Sequence, residues 1–301
     1  MTNRREFVRL TGAVATALSV PVPLSAQAVE DTRIATRPIP GTDEHLPVVG
    51  LGNAEAFRSG NLELSRELLD IFMQKGGAYI DTSASGRGTI GTIMHERDAH
   101  DELFLGTYLN ETGDGAMRAE IKAVQAGQGG GTLDLVLTRD VSEFTAANAT
   151  YVRLKDDGLT RYIGVARSGK RHFDAIMKLM SVGRVDFVQV NYSMIEPEAA
   201  ERLLPMAKDQ GVAVVINRPF INGEYFSLVR GKVLPDWAAE FDCHSWAQFS
   251  LKFILAHPAV NCVLTETSNP DHAIDNLGAG IGRLPDAPTL QRMQQVMRDL
   301  L

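Results

Sequence analysis

The chain has 301 residues, 44% of them hydrophobic and 22% charged, and a net charge of −7. That is ordinary globular composition, with room for one large domain or two small ones. With no basic block and no aromatic residues interleaved with basic ones, it speaks against a nucleic-acid surface.

The first 28 residues differ from the rest. Arg4, Arg5 and Arg9 precede a small-residue apolar stretch, TGAVATALSVPVPL, and then Ala26-Gln27-Ala28, which fits the small-x-small rule for signal cleavage. NRREFV, with Phe7 two residues after the arginine pair, has the form of a twin-arginine export signal. The expected organisation is a leader over 1–28 and a single domain over 29–301, with the mature, periplasmic or exported chain starting at Val29. The leader holds three Arg and one Glu, so its removal takes the charge from −7 to −9. The apolar stretch is short and contains Pro21 and Pro23, so the sequence predicts no permanent membrane span.

The segment IATRPIPGTDEHLPVV (34–49) reads as a hairpin around a Gly-Thr-Asp turn, placed to cap the floor of the domain. From residue 46 onward, short apolar runs alternate with amphipathic segments. The runs are PVVGLG (47–52), GAYID (77–81), LFLGTYL (103–109), LDLVLT (133–138), RYIGVA (161–166), DFVQVN (186–191), VAVVIN (212–217) and VNCVLT (260–265). Most lack polar alternation, as strands buried on both faces of a parallel sheet do. After Asp81 the sequence SASGRGTIG reads as a small-residue turn and a Gly-rich loop. LELSRELLDIFMQKG, GKRHFDAIMKLMSVG, EPEAAERLLPMAKDQG and SWAQFSLKFILAHP carry apolar residues at helical spacing, and APTLQRMQQVMRDLL reads as a terminal helix. Eight strand-like runs, each followed by a helix or long loop, predict an α/β fold, a (β/α)8 TIM barrel with an N-terminal hairpin and a C-terminal helix.

Such barrels place chemistry at the C-terminal ends of their strands. Those ends are Asn53, Asp81, Tyr108, Thr138, Arg167, Gln189 with Tyr192, Asn217 and Thr265. Asn53 and Thr265 read as polar caps, whereas Asp81 suits a structural cap and a functional carboxylate equally. Cys243 and Cys262 are expected not to pair. Cys262 opens the last strand near the floor, and Cys243 precedes a helix descending from the mouth. Ten helical residues separate those levels by roughly 15 Å, while a disulfide needs Cα atoms within about 7 Å.

Taken together the runs resemble the aldo/keto reductases. LPVVGLG, IDTSAS (similar to IDTAxxYG), LFLGT, LDLVLT, RYIGVA, DFVQVNYS, GVAVVINRPF and VLTETSNPDHAIDN follow the family's motifs in order along the whole mature chain. The resemblance implies carbonyl reduction with NADP or NAD, through an Asp, Tyr, Lys and His. The Tyr is the general acid, its pKa lowered by Lys and Asp, and the His orients the substrate. Carried over by position, Asp81 alone is kept. Ser85 runs straight into Gly86 where the Tyr belongs, Tyr108 stands at the Lys position and Thr138 at the His position.

Of the family's Ser, Asn and Gln around the nicotinamide amide, only Gln189 remains, with Ala166 and Arg167 at the other two positions. Asn217 replaces the stacking aromatic; Tyr192 and Pro219 are retained. Ser268, Asn269 and Asn276 resemble the adenine end of the cofactor groove. That loop offers no Lys or Arg to a 2′-phosphate, and Glu266 stands where the family usually has Gly. The resemblance implies no metal.

Three readings are open. One is a diverged barrel with little reductase activity that binds a small anionic molecule, with substrate contacts from Arg167, Thr138 and Asn217, and with Arg139 and Arg218 adding positive potential. The second is a working oxidoreductase with Tyr108 as a substitute acid. The third is a lyase or isomerase using Asp81 as base and Arg167 to hold an anion. Pairing of Arg167 with Asp81 would close the mouth. Of the histidines, only His244, in the long connection after the seventh strand, is placed where it could approach the mouth, and it reads first as an ordinary surface or helix-capping residue.

Overall fold

A computed structural model describes residues 32–98 and 102–301. The expected leader over 1–28 and the expected start of the mature chain at Val29 lie outside the described residues. The hairpin forms from β1 (Thr36–Pro38) and β2 (His45–Pro47), antiparallel, with Thr36 opposite Pro47. The eight apolar runs form β3 (Val49–Leu51), β4 (Tyr79–Thr82), β5 (Phe104–Tyr108), β6 (Leu133–Thr138), β7 (Thr160–Ala166), β8 (Phe187–Asn191), β9 (Ala213–Asn217) and β10 (Cys262–Thr265). They pair in parallel and in chain order, and β10 closes on β3, giving the expected (β/α)8 barrel.

Strand alternation sorts the side chains into two cores. Tyr79, Phe104, Leu135, Leu137, Tyr162, Phe187, Val215, Cys262 and Leu264 fill the barrel. Ile80, Leu105, Val136, Ile163 and Val188 face the helices. The hairpin closes the floor, where Ile39 and Leu46 join the interior cluster. Glu44 accepts hydrogen bonds from Arg161 and, at 2.8 Å, from the Tyr162 hydroxyl, while Asn261 donates to the Pro38 carbonyl at 2.9 Å. With one end plugged, only the C-terminal end of the barrel stays open.

Two elements differ from expectation. The segment after Asp81 is a helix, Ala84–Arg97, and not a Gly-rich loop. Its glycines serve close packing: a Cβ at Gly91 would lie 2.3 Å from the Gly127 carbonyl oxygen, and one at Gly86 would lie 2.1 Å from Asn53 Oδ1. The helix expected over EPEAAERLLPMAKDQG is split into a 3-10 turn, Glu198–Ala200, and a helix, Leu203–Asp209. Pro205 has no N–H, and its ring clashes with the carbonyl four residues back, so an α-helix cannot run through from Glu198. The terminal helix spans Ala287–Leu300.

Candidate active site at the open end of the barrel

Tyr79, Phe104 and Phe187 point into the barrel. With side chains alternating along each strand, Asp81 and Gln189 share that inward face one inward position further on and Tyr108 two, and the three meet. The Tyr108 hydroxyl donates to Asp81 Oδ2 at 2.9 Å, Gln189 Nε2 donates to the same oxygen at 2.7 Å, and Gln189 Nε2 lies 3.1 Å from the Tyr108 hydroxyl. Asp81 Oδ1 takes no hydrogen bond among the described residues. Asp81 is only 5% exposed. Burial pushes its carboxyl up to about 6, against the opposing pull of the Gln189 and Tyr108 hydrogen bonds and the Arg139 charge. Burial, with the neighbouring Asp81 charge, also holds the Tyr108 phenol well above its ordinary value. Arg87, in the first turn of Ala84–Arg97, fixes the end of β5 by donating to the Tyr108 carbonyl at 2.8 Å.

Above this trio lies a cavity of about 470 Å³, wide enough for a small metabolite. Arg58, Arg139, Arg167, Arg171 and Arg218 line it, against two carboxylates, Asp81 and Glu266. Arg58 pairs with Glu55 at 2.6 Å and approaches Glu266 at 3.9 Å. The other four form no ion pair among the described residues. Arg139 lies on the Tyr108 ring, its Cζ 3.8 Å from the centroid. Arg167 turns away from Asp81: its Nε donates to His172 Nε2 at 3.3 Å, and Arg171 Nε donates to the same nitrogen at 3.0 Å. Desolvation and the two guanidinium charges lower the His172 pKa, which keeps the ring neutral and able to accept. Arg218 donates to Asn222 at 3.2 Å, and Arg218, Ile221 and Asn222 all have positive φ. For Ile221, which is β-branched, that is real strain, on the order of 1–3 kcal/mol, of the kind that collects around ligand clamps.

The remaining sequence candidates are spread more widely. Asn217 lines the cavity and takes a hydrogen bond from Ser168 at 2.8 Å. Thr138 is buried, with its hydroxyl accepting the Asp140 N–H at 3.2 Å. Tyr192 lies in the layer between barrel and helices, its ring 5.8 Å from Phe253 and 5.7 Å from His257. Ser268 accepts the Ala56 N–H at 2.9 Å, Asn269 caps the helix Pro270–Gly278, and Asn276 is buried within that helix. His244 is exposed and does not line the cavity. Sequence reasoning missed Arg171, His172 and Arg87. The basic run KRH after β7 was the available signal for the first two. Arg87 sat in a segment read as a loop. Among the described residues no His, Cys, Asp and Glu cluster could hold a metal ion, and no helix is long and apolar enough to cross a membrane.

Comparison with known proteins agrees with this architecture. Residues 49–293 match the model of the aldo/keto reductase family. A curated relative, the NADH-specific methylglyoxal reductase of Escherichia coli K12, is 30% identical over 84 residues, 28% of this chain and 24% of that protein, so the match spans about a quarter of the relative's length. The holo form of the aldo-keto reductase AKR11C1 from Bacillus halodurans superposes with a TM-score of 0.70 at 17% identity, covering 88% of this chain and 96% of that one. An aldo/keto reductase from Klebsiella pneumoniae, in complex with NADP and acetate, gives 0.68 at 17% identity over 89% and 95%.

Proposed function

Because the chain belongs to the aldo/keto reductase family, we infer that its barrel mouth is a binding site for a small anionic molecule and that carbonyl reduction there runs near background. The observation that carries this is the set of four arginines, Arg139, Arg167, Arg171 and Arg218, that line the cavity without a carboxylate partner among the described residues. A guanidinium is permanently charged and presents a planar fork that fits carboxylate or phosphate. His172, accepting from two of them, gathers Arg167 and Arg171 on one side of the cavity.

Reduction needs an acid beside the carbonyl. The position that the family resemblance assigns to the catalytic Tyr is Gly86, and the space a side chain would enter there is filled by Asn53 and Phe57. Tyr108 has its proton directed at Asp81 and its pKa raised, the opposite of the tuning a general acid requires.

The residues present also fit a nicotinamide nucleotide poorly. Ala166 has no polar side chain, Arg167 is turned to His172, and the Gln189 Nε2 is already engaged with Asp81 and Tyr108. Glu266 packs against Gly52, where a Cβ would lie 2.4 Å from its Cγ. The same reading takes residues 1–28 as an export leader, on the strength of Arg4–Arg5 and Ala26-Gln27-Ala28.

The test is a melting screen with inorganic phosphate and small carboxylates, on the wild type and on Arg167→Ala, alongside an aldehyde-reduction assay with NADPH and NADH. A ligand at 100 times its Kd stabilises by about 2.7 kcal/mol, and this shift should shrink in the variant. A shift unchanged in Arg167→Ala, or aldehyde turnover on the order of 1–10³ per second, would overturn the reading.

A further inference from the structure

The four arginines account for binding but not for the group beneath them. A carboxylate with no cationic hydrogen-bond partner, buried at the floor of a cavity, is an unusual thing to keep in a site that only holds an anion. Both hydrogen bonds to Asp81, from Tyr108 and Gln189, fall on Oδ2. They fix the carboxylate plane and leave Oδ1 without a partner, in a residue that lines the cavity. One oxygen anchored and one open is the arrangement of a positioned base. Arg139, seated on the Tyr108 ring, is the guanidinium whose charge acts on Asp81.

We propose, resting on the anion-site reading, that Asp81 is a general base that moves a proton at a carbon next to the carbonyl of a small ketone carrying two negative charges. The cavity supplies the charge count. With Arg58 paired to Glu55, four guanidinium groups face two carboxylates, an excess of two positive charges, which a dianionic ligand offsets. Arg167 and Arg171, after β7, take one anionic group, and Arg218, after β9, offers a second contact.

In the reaction, Asp81 Oδ1 takes the proton from the carbon. The C–H electron pair becomes the carbon–carbon π bond, and the carbonyl π pair moves to oxygen. The resulting enolate oxygen lies against the Arg139 guanidinium. The neutral carboxylic acid then returns a proton to the same carbon, the carbon–carbon π pair forms the new C–H bond and the carbonyl is restored, giving exchange. No oxidant or reductant enters. A carboxyl held at about 6 is close to matched for giving and taking a proton near neutral pH. The titratable and charged groups around it are Tyr79, Tyr108, Cys262, Arg139 and Glu266.

The experiment follows loss of the proton signal at the carbon next to the ketone in D2O, for 2-oxoglutarate and dihydroxyacetone phosphate, with the full chain and with Asp81→Asn prepared in parallel. Melting shifts with the same two probes are recorded on both proteins. The expected result is exchange at least about 10²-fold above the variant, rising with pH through about 6, with the melting shift kept in Asp81→Asn. Equal or absent exchange in both proteins for both probes, with the shift retained, overturns the base and leaves the anion site standing. Neither exchange nor shift overturns both. If Asp81→Asn does not fold, Arg139→Gln at an exposed position carries the same test, and exchange that falls less than tenfold overturns the proposal.

Discussion

Replacing Asp81 by Asn should make the protein more stable at neutral pH, although it removes a buried, doubly hydrogen-bonded side chain. The Asn Oδ1 can occupy the place of Asp81 Oδ2 and accept from Tyr108 and Gln189 as before, so the hydrogen bonds survive and only the buried charge is lost. The carboxyl is held at about 6 in the fold against an ordinary value of 3.8. The folded state therefore binds this proton more tightly than the unfolded chain. Its favourable contribution is fully present below 3.8 and is lost as pH rises through about 6. Above that, the buried charge destabilises the fold by on the order of 3 kcal/mol. Asp81→Asn should recover much of this at pH 8, about 6 °C in Tm for a domain of this size, and almost none at pH 4. The assay is thermal or urea unfolding of both proteins at a series of pH values, where the difference cancels all other titrating groups. An Asn variant less stable than the wild type at pH 8, or one whose gain is the same at pH 4 and pH 8, would refute the argument. Stability withheld in this way at one residue is the usual mark of a site kept for chemistry or binding.

Other outcomes are expected elsewhere. Gly86→Ala should destabilise by about 1–3 kcal/mol despite alanine's better helix propensity, because its Cβ meets Asn53 Oδ1 at 2.1 Å; in an Asn53→Ala background the same change should become neutral or stabilising, and equal cost in both backgrounds would exclude the contact as cause. Cys243 and Cys262 are both free and buried, and burial pushes the Cys243 thiol up to about 11 and the Cys262 thiol higher still. A thiol reagent should therefore find none in the native protein and two in denaturant, whereas a mass two units low would reveal a disulfide. Replacing Arg4 and Arg5 by lysine should hold the full precursor in the cytoplasm; normal export of that variant would remove the twin-arginine reading.

The sequence by itself determined the barrel. Runs such as LDLVLT and DFVQVN are apolar on successive residues because both strand faces are buried, one by the barrel interior and one by helices, and eight of them at regular intervals leave few other closed sheets. It also determined which polar side chains stand at the strand ends, since a strand's last residue is fixed by where its apolar run stops. The helix boundaries were less legible: Gly86, Gly88 and Gly91 look like loop residues in one dimension, and only the approach of Asn53 to Gly86 and of Gly127 to Gly91 explains two of them. What those strand-end residues do to one another was decided by tertiary structure alone. Arg167 had two partners open to it in the sequence, Asp81 or a ligand, and the turn after β7 gave it a third by bringing His172 within 3.3 Å. Asp81 lies 27 positions from Tyr108 and 108 from Gln189. Their meeting depends on the inward register of three strands, one of them across the barrel from the other two. The raised carboxyl comes from burial in the barrel mouth, against the pull of those two hydrogen bonds, because desolvation is a property of everything packed around a group and not of its neighbours along the chain.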